Sequence, residues 1–530
     1  MVTAALTSCS SNVAGQINYA VDGAVPTYNA NTVVGAASSA PQAFARVLTG
    51  FGYHGPDGQV VGDHDFGTVS VVGREPLLLD YQIADNAVYS DGKPITCDDM
   101  VLAWAAQSGR PGFDAAGHAG YADITSIDCR PGQKKARVTF APDRPFTDYA
   151  QLFTATSMMP SHVVADELGV DVTGALQSND APTVAKIAQL WNTTWDLKPG
   201  IDVKHFPSSG PYKIDSVHSD GSVALVTNDR WWGSKPLTKR VTVWPRIADV
   251  QDRLNKGSLD VVDVSAGSVA ALKLPSDYQY IDFRSDGIEQ LIFAGQGPLA
   301  APSARRAVAL CTPRDQIAAN ADAPIANVRL NPASDDAFAG AESAAEAGQF
   351  SKSDPDAART ALGGAPLTVR IGYQSPNARL AAAVGAIAHA CAPARITVQD
   401  VSSDGDGPFT LTGNQIDALL AGTGGATGGG SSGSSAVDAY ALHSGNGNNL
   451  AGYSNPHVDD VINGLAVTSD PKQIAKLVSD GAGPLWADMP TLPLYRQQRT
   501  LVTSKKMYAV GSNPTRWGAG WNMDRWVLNR

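Results

Sequence analysis

The chain has 530 residues, 43% of them apolar and 17% charged, with a formal net charge of −11. That length exceeds what one hydrophobic core supports, so two or three domains are expected. The acidic balance argues against a nucleic-acid surface or a basic membrane patch, and no run of about 18 apolar residues offers a bilayer span.

The first residues read "ALTSCSS", and Leu6-Thr7-Ser8-Cys9 resembles a bacterial lipobox, with a polar tether "SSNVAGQ" behind it. A diacylglycerol on Cys9 would hold the protein at a membrane it does not enter. Residues 17–60 mix a strand-like run, "QINYAVDG", with a helix-like one, "APQAFARVLTGF", that ends in glycine. From 61 to 205 the sequence is strand-rich ("LLLDYQIADNAVYSDG", "KKARVTFAP") with helices predicted at "CDDMVLAWAAQSG" and "APTVAKIAQLWNTTW". "SSGPYKIDSVHSDGSVALVTND" alternates as a hairpin about a Ser-Asp-Gly turn. Between 286 and 420, strands alternate with helices, which predicts a largely parallel sheet flanked by helices. The tail from "PTLPLYRQQRTLVTS" is strand-like and Trp-rich.

Besides Cys9 there are four cysteines: Cys97, Cys129, Cys311 and Cys391. None has zinc-like spacing, and disulfides in an exported protein are the better reading. Four cysteines allow three pairings that sequence does not separate; joining sequence neighbours, Cys97 to Cys129 and Cys311 to Cys391, is the pairing expected here.

Four stretches in order, "YQIADNAVYSDGKPITCDDMVLAW", "SSGPYKI", "NDRWWGSKP" and "ARRAVALCTPRDQIA", resemble the family 5 extracellular solute-binding proteins of peptide and nickel ABC importers. Within that family the chain is most similar to dipeptide-permease binding lipoproteins of actinobacteria. The resemblance implies an α/β, two-lobed periplasmic-binding-protein type II fold of cluster C. The first lobe would comprise 17–60, 206–275 and 490–530, the second 276–489, and an inserted domain 61–205, behind a lipobox and tether at 1–16. It implies no enzyme and no cofactor, but a monomer outside the cytoplasm, anchored to the membrane by lipid alone and working with a permease and ATPase. The ligand would be a short peptide or haem held between the lobes, with no nucleic acid involved.

The resemblance also assigns residues. "SPNAR" matches the family's Asn-Pro-Asn-Ala-Arg, so Arg379 is expected to grip a carboxylate through two parallel N–H groups. The family's Trp-Thr-Gly-Asp, whose aspartate binds a free amine, aligns with Gly422-Thr423-Gly424-Gly425, where tryptophan and aspartate are both missing. Glycines there are expected to clear the cleft for a ligand larger than a dipeptide. The backbone around Thr423, Gly424, Gly425, Gly35 and Ala36 would run beside it, Tyr495 and Arg496 would line the returning tail, and His443 is the candidate ligand for a haem iron.

Two rival motifs sit in "GTGGATGGGSSGSS". Gly429-Gly430-Ser431-Ser432-Gly433 satisfies the GxSxG nucleophile elbow, with Asp438 and His443 following as acid and base of a serine hydrolase. Gly428, Gly430 and Gly433 match GxGxxG but lack a following lysine and a clear strand–turn–helix unit.

Overall fold

The strand Gln16–Val21 is buried along five of its six residues, as expected of a strand enclosed on both faces. It pairs in parallel with Arg240–Pro245 on one side and Val261–Ser265 on the other. The structure is a computed structural model that describes residues 15–246, 249–268, 272–330 and 345–529; Cys9 lies outside them. Ten strands form one mixed sheet, in the order Ile396–Asp400, Leu367–Gly372, Ala418–Gly422, Tyr278–Phe293, Thr491–Ser504, Val261–Ser265, Gln16–Val21, Arg240–Pro245, Val223–Thr227 and Tyr212–Val217.

Two strands in the middle of that order join its two ends. Tyr278–Phe293 and Thr491–Ser504 run antiparallel over most of their length. At one end Thr491–Ser504 pairs with Val261–Ser265 of the first lobe. At the other, Tyr278–Phe293 pairs with Ala418–Gly422 of the second. The ladder between them is irregular at Arg284/Ile288 and again at Glu289/Gln290, where the chain passes from lobe to lobe. Such bulges bend and twist a strand locally, so the crossing is built at the weakest part of the ladder.

The sheet is parallel only in part. Leu367–Gly372 has parallel neighbours on both sides, but the crossing strands meet the second lobe antiparallel. The predicted hairpin forms as Tyr212–Val217 against Val223–Thr227.

A second, four-stranded antiparallel sheet occurs within the strand-rich region, in the order Gly67–Arg74, Leu77–Ile83, Lys135–Phe140, Ile124–Asp128. Leu77, Leu79, Tyr81 and Ile83 alternate inward, the two-residue period of a half-covered strand. One apolar cluster joins Ile17, Tyr19 and Val243 to Leu79, Leu102 and Trp191 and reaches Val458 and Leu485. Another gathers Leu291, Phe293, Val369, Ile371 and Leu420 in the second lobe. Cys97 is bonded to Cys129 and Cys311 to Cys391, with Cα separations of 5.7 and 4.9 Å, the pairing of sequence neighbours. No described helix is long and apolar enough to cross a membrane.

Candidate functional site

Three pieces of the first lobe face three pieces of the second across a cavity of about 260 Å³. The first lobe contributes Asp22 at the end of Gln16–Val21, the short helix Val33–Ala37, and Ser265 and Ser268. The second contributes Gln374 to Leu380, the loop Asp404 to Phe409, and Gly425 to Gly428. Glu289 and Gln497 come from the two crossing strands. A wider groove of about 1000 Å³ lies beyond Arg379, lined by Tyr280, Thr500, Ala382 and Tyr495.

Arg379 lines the cavity, and local sequence explains why. The Asn377 side chain accepts a hydrogen bond from the Leu380 amide at 3.0 Å and caps the helix Ala378–Cys391. Leu380, Ala383, Val384, Ile387 and Cys391 face the core, which leaves Arg379 toward the cavity. A cation in a first helical turn opposes the helix dipole, so a nearby anion is favourable. Glu289 supplies it. Arg379 Nη2 donates to Glu289 Oε2 at 3.0 Å and Nη1 to the Ala266 carbonyl, with the Tyr495 ring centroid 5.5 Å from the guanidinium. The expected carboxylate clamp is therefore already closed on the protein's own carboxylate. Burial holds the Glu289 carboxyl above its usual range, and Arg379 acts against that.

Several groups at the cavity were not foreseen. The Asp22 carboxylate accepts from the Ser265 amide and from Ser268 Oγ at 2.9 Å. Arg246 pairs with Asp404 at 3.4 Å. Beneath them Arg499 and Asp263 form a fully buried pair at 2.6 Å, and Arg499 also reaches the Gly428 carbonyl at 3.4 Å. Glu289 had a readable signal, a lone carboxylate inside the apolar run "IEQLIF".

Other expected residues lie elsewhere. Val34, Ala37 and Ser38 line the cavity, one face of a helical turn, whereas Gly35 packs against Asn29 and Ala36 is not among the lining residues. Thr423 and Gly424 face a separate space of about 20 Å³ beside Ile288 and Asn448. Tyr495 faces the outer groove, and Arg496 is buried opposite Ile288 in the crossing ladder, outside both spaces. His443 stacks on Tyr440 at 5.0 Å, and its Nδ1 is 2.9 Å from the Ser444 carbonyl, away from the cavity that Arg379 lines. A haem iron in that cavity would not meet it.

The glycine run does not empty the cleft. A Cβ on Gly422 would stand 2.6 Å from the Gly429 carbonyl carbon, and one on Gly287 2.5 Å from the same atom. Three backbones thus touch where side chains would separate them. Gly425, at φ +79°, would drive a Cβ to 2.6 Å from Leu450. The run is a packed junction. It also docks across the cleft, through the Thr427 amide to the Ala37 carbonyl and the Ser434 hydroxyl to Asp148.

Neither rival motif assembles its chemistry. Ser431 Oγ donates directly to Asp438 Oδ2 at 2.8 Å, and the Ser432 amide binds Asp438 Oδ1 at 2.8 Å. A nucleophile elbow needs an imidazole between serine and carboxylate. Here the carboxylate closes a loop. Gly430 and Gly433 pack against the Thr423 and Gly58 carbonyls, so backbone contacts close the run there. Among the described residues, the one grouping of metal-type donors is Cys97, Asp98 and Cys129, whose sulfurs are bonded to each other.

Comparison with known proteins agrees with this architecture. The profile of bacterial extracellular solute-binding proteins, family 5 (middle region), matches residues 76–390. The uncharacterized lipoprotein Rv2585c of Mycobacterium tuberculosis is 67% identical over 530 residues, 99% of this chain and 95% of that protein. Among solved structures, the periplasmic EDTA-binding protein EppA superposes with a TM-score of 0.75 at 18% identity, over 97% of this chain and 96% of its own. The oligopeptide-binding protein AppA of Bacillus subtilis, solved with a nonapeptide, superposes with a TM-score of 0.74 at 14% identity, over 97% and 99%. At such identities the likeness establishes the two-lobed fold and nothing finer.

Proposed function

The chain belongs to the bacterial extracellular solute-binding proteins of family 5, and on that premise we propose that it captures a small polar solute between its lobes and delivers it to the permease of an ABC importer. The observation that carries this is the cavity itself, walled by both lobes and floored by the two strands that cross between them. Closure about such a hinge makes the occupied site complete only when the lobes meet. At about 260 Å³ the space falls below the roughly 300–1,000 Å³ of ordinary ligand sites, which favours a solute of dipeptide size over a nonapeptide or haem. In this reading 17–60, 206–275 and 490–530 move as one lobe with 61–205 attached, against 276–489. The protein acts as a monomer tethered through Cys9, carries no catalytic residue, and binds its solute without a cofactor.

Small-angle scattering combined with native mass spectrometry tests the reading. In the presence of a dipeptide library the expected outcome is a smaller radius of gyration and a retained solute mass. An unchanged radius with no retained mass would overturn it. Stoichiometric fluorophosphonate labelling of Ser431, with hydrolysis lost in Ser431→Ala, would instead support the hydrolase.

A further inference from the structure

We propose that the solute presents a cationic nitrogen, an ammonium or a guanidinium, to Asp22. The proposal rests on the cavity being the binding site and names what the cavity selects.

Charge balance is the first argument. Four carboxylates line the cavity, Asp22, Glu289, Asp404 and Asp406, against two guanidiniums, Arg246 and Arg379. Arg379 is matched by Glu289 at 3.0 Å and Arg246 by Asp404 at 3.4 Å. Asp406 folds into its own loop, accepting from the Ser403 amide at 2.9 Å and Ser403 Oγ at 3.1 Å. Among the described residues Asp22 accepts hydrogen bonds only from the neutral donors of Ser265 and Ser268; Arg499 feels its charge but is hydrogen-bonded to Asp263. A carboxylate offers about four lone-pair sites, so Asp22 retains capacity for a donor from the cavity.

The second argument is independent of charge. Gln497 is 1% exposed and lines the cavity, and its Oε1 has no hydrogen-bond donor. Gln374 lines the opposite side, and its buried Oε1 also has none. A buried acceptor without a partner is costly, and such groups are rarely left so in folded proteins. These two acceptors outnumber the one unpaired donor at the cavity, the buried Arg379 Nε, and all of them are closed to solvent, so a solute would reach them only after a side-chain shift. An ammonium or guanidinium brings only donors, which is what Asp22, Gln374 and Gln497 lack. The Arg379 Nε then suits one carbonyl or carboxylate oxygen of the same solute.

The test uses the full chain and modifies the solute before the protein. Binding is measured by titration calorimetry with alanyl-alanine, with N-acetyl-alanyl-alanine, and with a panel of putrescine and agmatine. Loss of the charge on acetylation should weaken binding at least ~10-fold, the effect of one charge-assisted hydrogen bond. Agmatine binding with no dipeptide binding would assign a guanidinium or diamine source; dipeptide binding would assign an α-ammonium. Asp22→Asn should reproduce the loss for every cation that binds, and Asp22→Glu should recover part of it, with melting temperatures confirming that both variants fold. Equal affinity for the acetylated and free dipeptide, or affinity unchanged in Asp22→Asn, would overturn the cation assignment and leave the solute-binding function standing. Absence of binding and of compaction across all these solutes and the dipeptide library would overturn the binding function beneath it.

Discussion

The Arg379–Glu289 pair shows what a single residue contributes when both partners leave water. Their side chains are 9% and 4% exposed, and the pair joins the second lobe to a crossing strand. Removing one partner of a buried pair strands the other, so Arg379→Ala should cost about 3–5 kcal/mol in chemical denaturation. Arg379→Met with Glu289→Gln should return most of that, because replacing both charges removes the desolvation penalty with the attraction. Equal loss in the single and double variants would show that the pair is not the source. Arg379 was legible because "SPNAR" carries both its helix cap and its position. Asp22 was not, since "VDG" reads as an ordinary turn. Its place at the cavity is set by hydrogen bonds from Ser265 and Ser268, more than 240 residues away in the chain.

At the scale of elements, the glycine run shows how composition misleads. Gly/Ser density suggests a flexible linker or a cleared wall. The reason for these glycines is backbone contact between Gly422, Gly429 and Gly287, the last brought in from a strand more than 130 residues earlier. No local pattern encodes such a contact. Gly422→Ala should therefore destabilise by about 2–4 kcal/mol, in the range of overpacking with backbone displacement. Gly385 is the control. It lies within the helix Ala378–Cys391 with nothing within 4 Å of an added Cβ, so Gly385→Ala should stabilise by about 0.5–1 kcal/mol. Thermal unfolding of the two variants distinguishes a packed junction from a loose loop, for which both changes would be neutral or favourable. Elements of strong periodicity, such as Leu77–Ile83 and the hairpin at Tyr212–Thr227, were read correctly from sequence because their signal is local. The parallel sheet was overpredicted because strand direction in the second lobe is set by partners that cross from the first.

For the whole molecule, the crossing region carries a titrating group whose state affects global stability. Asp286 lies within the first ladder irregularity, between Arg284 and Ile288, and its carboxyl is pushed up to about 6. Burial is the main cause and the Asp438 charge the next, with Arg284 and Arg496 opposing. A carboxyl raised in the folded state contributes stability that is full below its unfolded value near 3.8 and is lost as pH rises through about 6. Wild-type protein should thus lose stability between about pH 4 and 6 through this group. Asp286→Asn should flatten that part of the profile, as read by melting temperature in buffers of constant ionic strength. An identical slope in the variant would assign the dependence to other groups. The two-lobed form itself was legible through the resemblance of separated motifs, whereas the size of the cavity was not, because it depends on how closely the lobes meet.

The sheet order has a consequence for how the chain is made. Thr491–Ser504 lies between Tyr278–Phe293 and Val261–Ser265, so it completes the edge of each lobe at once. At about 5–20 residues per second, a ribosome makes it more than 220 residues after Val261–Ser265. Until then Val261–Ser265 is an open strand edge with its ladder donors and acceptors unpaired, the kind of edge that templates aggregation. Closure of that edge therefore waits for a strand made much later in the chain. A chain held open in this way is suited to threading through an export channel before it closes on its own tail.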